Sequence, residues 1–275
     1  LLWLGYAFSI GGTLVCIALV FRDSLSEKAE WKLSPGNTEK GESWGESMIK
    51  KSLDLPPARF RQVGKSVAVS YFKRLRSQRS FCFEGRSYSY FYHPYNLTWR
   101  NERSVEIPIV LSYIDCRPCD RMLEVGNVLS HYFDVSHDIV DKYEKAPGVI
   151  NEDAVVFTRE EKYEMIISIS TLEHIGRSEE PRRTAKSLEA IEKLKQLLMP
   201  GGIFVATVPV GVNPQLDEKL LSPDSPFEQV RALKRRSMTN DWKQVEPCSV
   251  ARARYSTIGF RASAILVLET EKGQG

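Results

Sequence analysis

An α/β fold built around a mostly parallel sheet is predicted for the C-terminal part of this 275-residue chain, and three observations predict it. From Arg121 onward, short apolar runs alternate with helical stretches, the pattern of βαβ units. Carboxylates stand at or just after the ends of successive apolar runs: Glu124 in Met122-Leu123-Glu124-Val125-Gly126, Asp141 after His137-Asp138-Ile139-Val140, and Asp153 after Val149-Ile150. Met199-Pro200-Gly201-Gly202 then leads into the run Ile203–Pro209. Such a tight turn needs positive φ, which glycine supplies without steric cost.

The elements before this region read differently. Residues 1–21 carry no charge, and a helix of that length covers roughly 30 Å, a bilayer's hydrocarbon thickness, so a transmembrane helix is expected. A buried core helix is the alternative. No basic n-region or small-residue cleavage site precedes Arg22, and the chain begins without Met, which suggests a fragment. Residues 22–55 are polar and charge-balanced, with Ser34-Pro35-Gly36-Asn37, and read as a flexible linker. Residues 56–120 form a basic and aromatic extension ahead of a domain spanning 121–270. Between Lys50 and Arg79 nine lysines and arginines face only Asp54, which favours the cytoplasmic side of a membrane or a solvated helix face. Tyr90, His93, Tyr95 and Trp99 belong to a dense group of rings that either lines a substrate pocket or packs on the core. Ser87–Tyr92 alternates like a strand and runs into a turn at Pro94-Tyr95-Asn96.

Composition sets further bounds. The hydrophobic content of 42% suffices for a real core, and a net charge of +3 gives no reason to expect a nucleic-acid partner. Five scattered cysteines fit reduced thiols better than a disulfide framework. Cys116 and Cys119 supply only two of the four ligands a structural zinc needs, so no metal is expected. The sequon at Asn96 would matter only in a secreted protein and is discounted.

In the sheet region, Gly126 permits close approach of a nucleoside, and Val128–Phe133 follows as a short helix. Asp141, with Glu144 behind it, is placed to accept hydrogen bonds from ribose hydroxyls. Asp153 is the candidate for an adenine amino group, with Ala154 beside the ring. The clearest strand, Tyr163–Ser170, leads into Thr171-Leu172-Glu173-His174, so Ser170 to His174 should face the reacting group. A charged helix over Arg182–Leu198 and a last apolar run over Ala262–Leu268 complete the pattern.

Leu123-Glu124-Val125-Gly126, Asp141, Asp153, Ile169-Ser170-Thr171-Leu172-Glu173-His174 and Met199-Pro200-Gly201-Gly202 occur in an order that resembles the class I S-adenosylmethionine-dependent methyltransferases. The likeness is greatest to the branch with Leu-Glu-His after the fourth strand, as in enzymes of quinone biosynthesis. It implies a Rossmann-like sheet of seven strands, mostly parallel, with one antiparallel edge strand and helices on both faces. It also implies S-adenosylmethionine as cofactor, with Glu124 and Gly126 near its methionine part, Asp141 at the ribose, Asp153 and Ala154 at the adenine, and Ser170 alongside. Two departures stand out: Asn127, Val128, Leu129 and Ser130 replace the usual further glycines, and Ser170 stands near the place of an acid that helps bind a metal in the quinone branch. No metal is carried over.

His174 is the candidate general base, since imidazole titrates near neutrality; Glu173 is its companion, and the two could instead cap the next helix. The expected activity is methyl transfer at the cytoplasmic membrane face to a lipid-linked, glycan, quinone-like or other small acceptor. A degenerate domain serving as a membrane-anchored scaffold is the alternative. A dinucleotide enzyme ranks last, because no G-x-G-x-x-G is present.

Overall fold

The computed structural model describes residues 79–177, 179, 185–256 and 261–273. The expected span over 1–21, the linker over 22–55 and the basic stretch short of Arg79 lie outside the described residues. Among the described residues, no helix is long and apolar enough to cross a membrane.

The described part opens with a hairpin of β1 (Ser80–Phe83) and β2 (Arg86–Ser89). Its two-residue turn holds both Glu84 and Gly85 at positive φ, the conformation that matches the twist of paired strands. After a 3-10 turn over Tyr95–Arg100 comes α1 (Arg103–Cys116), which contains Pro108. Proline has no N–H to offer the Ser104 carbonyl four residues back. Phe91 N–H fills that gap at 2.9 Å, so the helix tolerates its proline because the preceding aromatic segment supplies the missing donor.

The main sheet contains β3 (Met122–Val125), β4 (Asp138–Val140), β5 (Val149–Ile150), β6 (Tyr163–Ile169), β7 (Leu198–Pro209), β8 (Gln229–Arg235), β9 (Trp242–Val245) and β12 (Ala264–Glu271). Their spatial order is β5-β4-β3-β6-β7-β12-β8-β9. The first five are parallel, whereas β12 runs antiparallel to both β7 and β8, and β9 antiparallel to β8. Helices α2 (Lys186–Gln196) and α3 (Pro214–Leu220) and a small hairpin of β10 (Tyr255–Ser256) and β11 (Arg261–Ala262) complete the set.

The expectation of seven strands with one antiparallel edge strand is corrected in two respects. Among the described residues the main sheet has eight strands, and the last of them in the chain, the antiparallel β12, lies inside it. Its run Ala264-Ile265-Leu266-Val267-Leu268 is buried on both faces, as an interior strand requires. The edge is taken by β9, which hides only one face.

Period-two alternation divides the core between the two faces. On β6, Ile166 packs with Phe204, Leu266 and the α2 side chains Ala190, Ile191 and Leu194. Met165, Ile167 and Ile169 point the other way, toward Val110 of α1 and Leu129. The Met199–Gly202 turn falls at the entry of β7, where pairing jumps from Tyr163–Leu198 to Met165–Ile203. Gly201 sits at φ 77°, and a Cβ on Gly202 would lie 2.9 Å from the Tyr163 carbonyl.

Candidate active site

The chain fills one side of the sheet with β3, β4 and β5, then crosses to build β6 and β7 on the other. The carboxyl ends of β3 and β6 flank this reversal, the place where open α/β sheets leave a crevice. A cleft of about 210 Å³ lies there. Gly126, Asp141, Asp153, Ala154, Ser170 and His174 all contribute to its lining.

Gly126 has φ 88° and donates its N–H to the Val140 carbonyl at 2.9 Å. An added Cβ would meet Thr171 Oγ1 at 2.1 Å and its Cβ at 2.8 Å, so the β3 and β6 ends approach here as closely as glycine allows. Glu124 does not line the cleft. It is fully buried behind it, where Oε1 accepts from Val128 N–H (2.9 Å) and Leu129 N–H (2.8 Å) and Oε2 lies 2.9 Å from His137 Nε2. Those bonds hold the turn after β3 and start the 3-10 helix Leu129–His131, which stands where a short helix is expected over Val128–Phe133. Asn127, in the glycine-poor stretch, donates from Nδ2 to Glu144 Oε1 at 2.8 Å and accepts from the Ser130 hydroxyl. Polar cross-links thus fix the turn without further glycines.

Asp141 follows β4 and uses Oδ1 to accept the N–H groups of Tyr143 and Glu144, both at 2.8 Å. Its Oδ2 meets only a long contact from Asn127 N–H at 3.4 Å, leaving lone-pair capacity toward the cleft. Asp153 accepts Val155 N–H on Oδ1 and the ammonium groups of Lys142 and Lys186 on Oδ2. Partial burial alone would raise its pKa, but the two lysine bonds outweigh that and hold the carboxyl at about 2. Glu179 accepts from the same two lysines, and its pKa is lowered by them.

Ser170, just after β6, sits at φ 45°, unusual for a residue other than glycine. It is held there by Thr207, whose carbonyl accepts its N–H at 2.9 Å, and by Glu106 of α1, whose Oε1 accepts its hydroxyl at 2.6 Å. The other Glu106 oxygen accepts from Arg103 Nη1 at 2.7 Å. Glu173 is fully buried in the 3-10 turn Leu172–His174, and among the described residues its carboxylate has no partner beyond its own backbone N–H. His174 Nε2 lies 3.4 Å from Oε1. Desolvation pushes the Glu173 pKa well above the carboxylate range; its own backbone N–H and the Arg103 charge oppose the shift, and the Glu106 and Glu102 charges add to it. Desolvation, then the charges of Arg177 and Arg103, push the His174 pKa below that of free imidazole.

The aromatic candidates lie elsewhere: none of Tyr90, His93, Tyr95 or Trp99 lines the cleft. The Tyr90 hydroxyl accepts the Trp242 N–H at 2.9 Å and its ring packs on Phe81. Trp99 is buried, His93 meets Tyr132 edge-on, and Tyr95 stacks on His131 with centroids 4.4 Å apart. Amphipathic rings are here part of the packing between the aromatic segment and the sheet.

No family model and no curated protein sequence matches the chain. Among solved structures it is similar to the N-methyltransferase NodS from Bradyrhizobium japonicum, crystallised with S-adenosylhomocysteine, at 10% identity over 62% of this chain and 87% of that one, with a TM-score of 0.35. It is also similar to a possible histamine N-methyltransferase from Thermotoga maritima, at 12% identity over 59% and 87% with a TM-score of 0.34. A third is the CcbJ methyltransferase from Streptomyces caelestis, at 12% identity over 60% and 88% with a TM-score of 0.32. What decides the fold is this chain's own strand order, with an interior antiparallel strand beside five parallel ones and a cleft at the reversal. Among the described residues the fold is a mixed, mostly parallel α/β sheet of Rossmann-like kind.

Within this fold, several residues around the cleft escape sequence reasoning. Lys142 and Lys186 bind Asp153 from positions 11 before and 33 after it. Glu106, held by Arg103, reaches Ser170 from α1, which reads as aromatic extension rather than as site. Only the i,i+3 spacing of Arg103 and Glu106 gives a sequence signal, and that spacing is common on solvated helices.

Proposed function

We propose that the chain is a methyltransferase that binds S-adenosylmethionine across the carboxyl ends of β3, β4 and β6. The observation that carries this reading is the convergence of Gly126, Asp141 and Asp153, from three separate strand ends, on one cleft. The residues fit the cofactor: Gly126 leaves backbone room, Asp141 Oδ2 has capacity for a ribose hydroxyl, and Asp153 Oδ1 has capacity beyond its bond from Val155. When bound, the cofactor supplies an electrophilic methyl group on a sulfonium.

The chain's own residues then align an acceptor and take its proton. His174 sits at the cleft with its pKa depressed, so it is neutral and able to accept a proton at physiological pH. Acceptors that are lipid-linked, glycan or quinone-like, and a place at the cytoplasmic membrane face, are drawn from the character of residues 1–79 alone.

Calorimetric titration with S-adenosylmethionine and S-adenosylhomocysteine tests the proposal. Saturable binding of both, weakened by Asp141→Ala in a folded protein, is the expected result. A folded wild-type chain with no affinity for either would refute it and leave the scaffold reading.

A further inference from the structure

Three of the side chains that line the cleft belong to a closed ring of charges. Lys142 Nζ donates to Asp153 Oδ2 at 2.8 Å and to Glu179 Oε1 at 2.6 Å, and Lys186 Nζ donates to the same two oxygens. Ammonium and carboxylate therefore alternate around the ring. Lys142 follows β4 and Asp153 follows β5, whereas Glu179 and Lys186 belong to the chain after β6. The ring thus ties together the two sides of the sheet reversal at the cleft. Lys142, Asp153 and Glu179 line the cleft, and Lys186, the first residue of α2, is buried beside them.

The two lysines are not equivalent. Lys186 keeps only 8% of its side chain exposed, and taking one partner from a buried ion pair leaves an uncompensated charge at high cost. Lys142 keeps 37% exposed, so water can solvate its ammonium as the bonds part, and a pair of that kind holds weakly. After Lys142 leaves, Lys186 still bonds both carboxylates. One half of the ring is fixed and the other is free to open. Near neutrality all four groups stay ionised. The Lys142 pKa is raised by its bonds to Asp153 and Glu179, and in Lys186 the same two partners outweigh the desolvation that would lower it. Both carboxylates are depressed in turn, so the ring responds to salt rather than to pH.

We infer that this ring is a latch on the cofactor cleft, in which Lys142 opens and closes and Lys186 is the anchor. The inference rests on the methyltransferase reading and adds to it how the cofactor is exchanged. While the Lys142 bonds are made, the β4 side and the chain after β6 are joined at the cleft, and a ligand enters or leaves only as they part. Removing the Lys142 charge therefore speeds entry and exit together and changes the equilibrium affinity much less.

The test measures association and dissociation of S-adenosylhomocysteine on the full chain by surface plasmon resonance. This ligand carries no net charge near neutrality, so ionic strength scarcely alters its encounter with the protein. Lys142→Met is expected to raise both rate constants roughly five- to tenfold while the Kd stays within about threefold. Lys142→Arg keeps a cation and should exchange like the wild type. Potassium chloride should accelerate exchange on the wild type, by screening the exposed pair, and leave Lys142→Met unchanged. A Lys142→Met protein that exchanges like the wild type, or salt that acts equally on both, overturns the inference. So does a Kd raised through dissociation alone, since Lys142 would then be a ligand contact and not a latch. If the folded wild type binds no S-adenosylhomocysteine, the methyltransferase reading falls and the latch with it.

Discussion

Replacing Gly126 by alanine isolates the contact on which the cleft is built. Two costs add at this position. The backbone at φ 88° is one that residues with a Cβ occupy only under strain of about 1–3 kcal/mol. The new methyl would also sit 2.1 Å from Thr171 Oγ1, 2.7 Å from Cγ2 and 2.8 Å from Cβ. Rotating the threonine relieves the first two but leaves Cβ in place, so the strand ends must part, at a further ~1–3 kcal/mol of overpacking. Gly126→Ala is therefore expected to lose about 2–6 kcal/mol in urea denaturation. Thr171→Gly removes all three clashing atoms, so in the double variant the overpacking part should return while the backbone part stays. A double-mutant cycle thus separates the terms, with a coupling of about 1–3 kcal/mol. A single variant destabilised by less than about 0.5 kcal/mol, or a cycle without coupling, would refute the close approach of β3 and β6.

Three further outcomes follow from the same coordinates. Glu124→Ala strips the acceptor from two buried N–H groups and the partner from His137, and should cost about 2–4 kcal/mol, read by chemical denaturation. Asp217 is buried with its pKa raised to about 6, by desolvation that the bond from Gly211 N–H only partly offsets. A raised carboxyl pKa contributes stability that is present below its unfolded value and lost as pH rises toward 6, so Asp217→Asn should flatten that part of the stability profile. With its pKa depressed, His174 should keep kcat/KM level down to a pH below the usual imidazole range, and His174→Ala should abolish the acid limb. An acid limb that survives the substitution would assign the base elsewhere.

What the sequence makes legible, and what it hides, divides along physical lines. Tyr163–Ile169 and Ala264–Leu268 read as strands because strands buried on both faces are nearly continuous apolar runs. The strands β8, paired with β12, and β9, paired with β8, do not, since Gln229-Val230-Arg231-Ala232-Leu233-Lys234-Arg235 and Trp242–Val245 are interrupted by charged and polar residues. Pro108 argues against a helix over Arg103–Cys116, and only the Phe91 N–H, which no local pattern reveals, reconciles the two. For α3 the signal is present in Asn213-Pro214, a capping residue before a proline at the first helical position, and Asn213 does accept the Leu216 N–H at 3.3 Å. In the cleft, strand-end position alone marks Asp141 and Asp153 as candidates. It cannot show that Glu124 turns its carboxylate to the backbone of Val128 and Leu129, nor that two distant lysines already hold Asp153. Those are facts of tertiary approach, set by the sheet order rather than by spacing in the chain.

The central claim is that the cleft at the ends of β3, β4 and β6 is a cofactor site, and calorimetry of S-adenosylhomocysteine on the folded chain tests it most directly. Saturable binding is expected, diminished by Asp141→Ala and by Gly126→Ala while the circular dichroism spectrum is retained. A folded wild-type protein that releases no heat and shows no saturation with this ligand would contradict it.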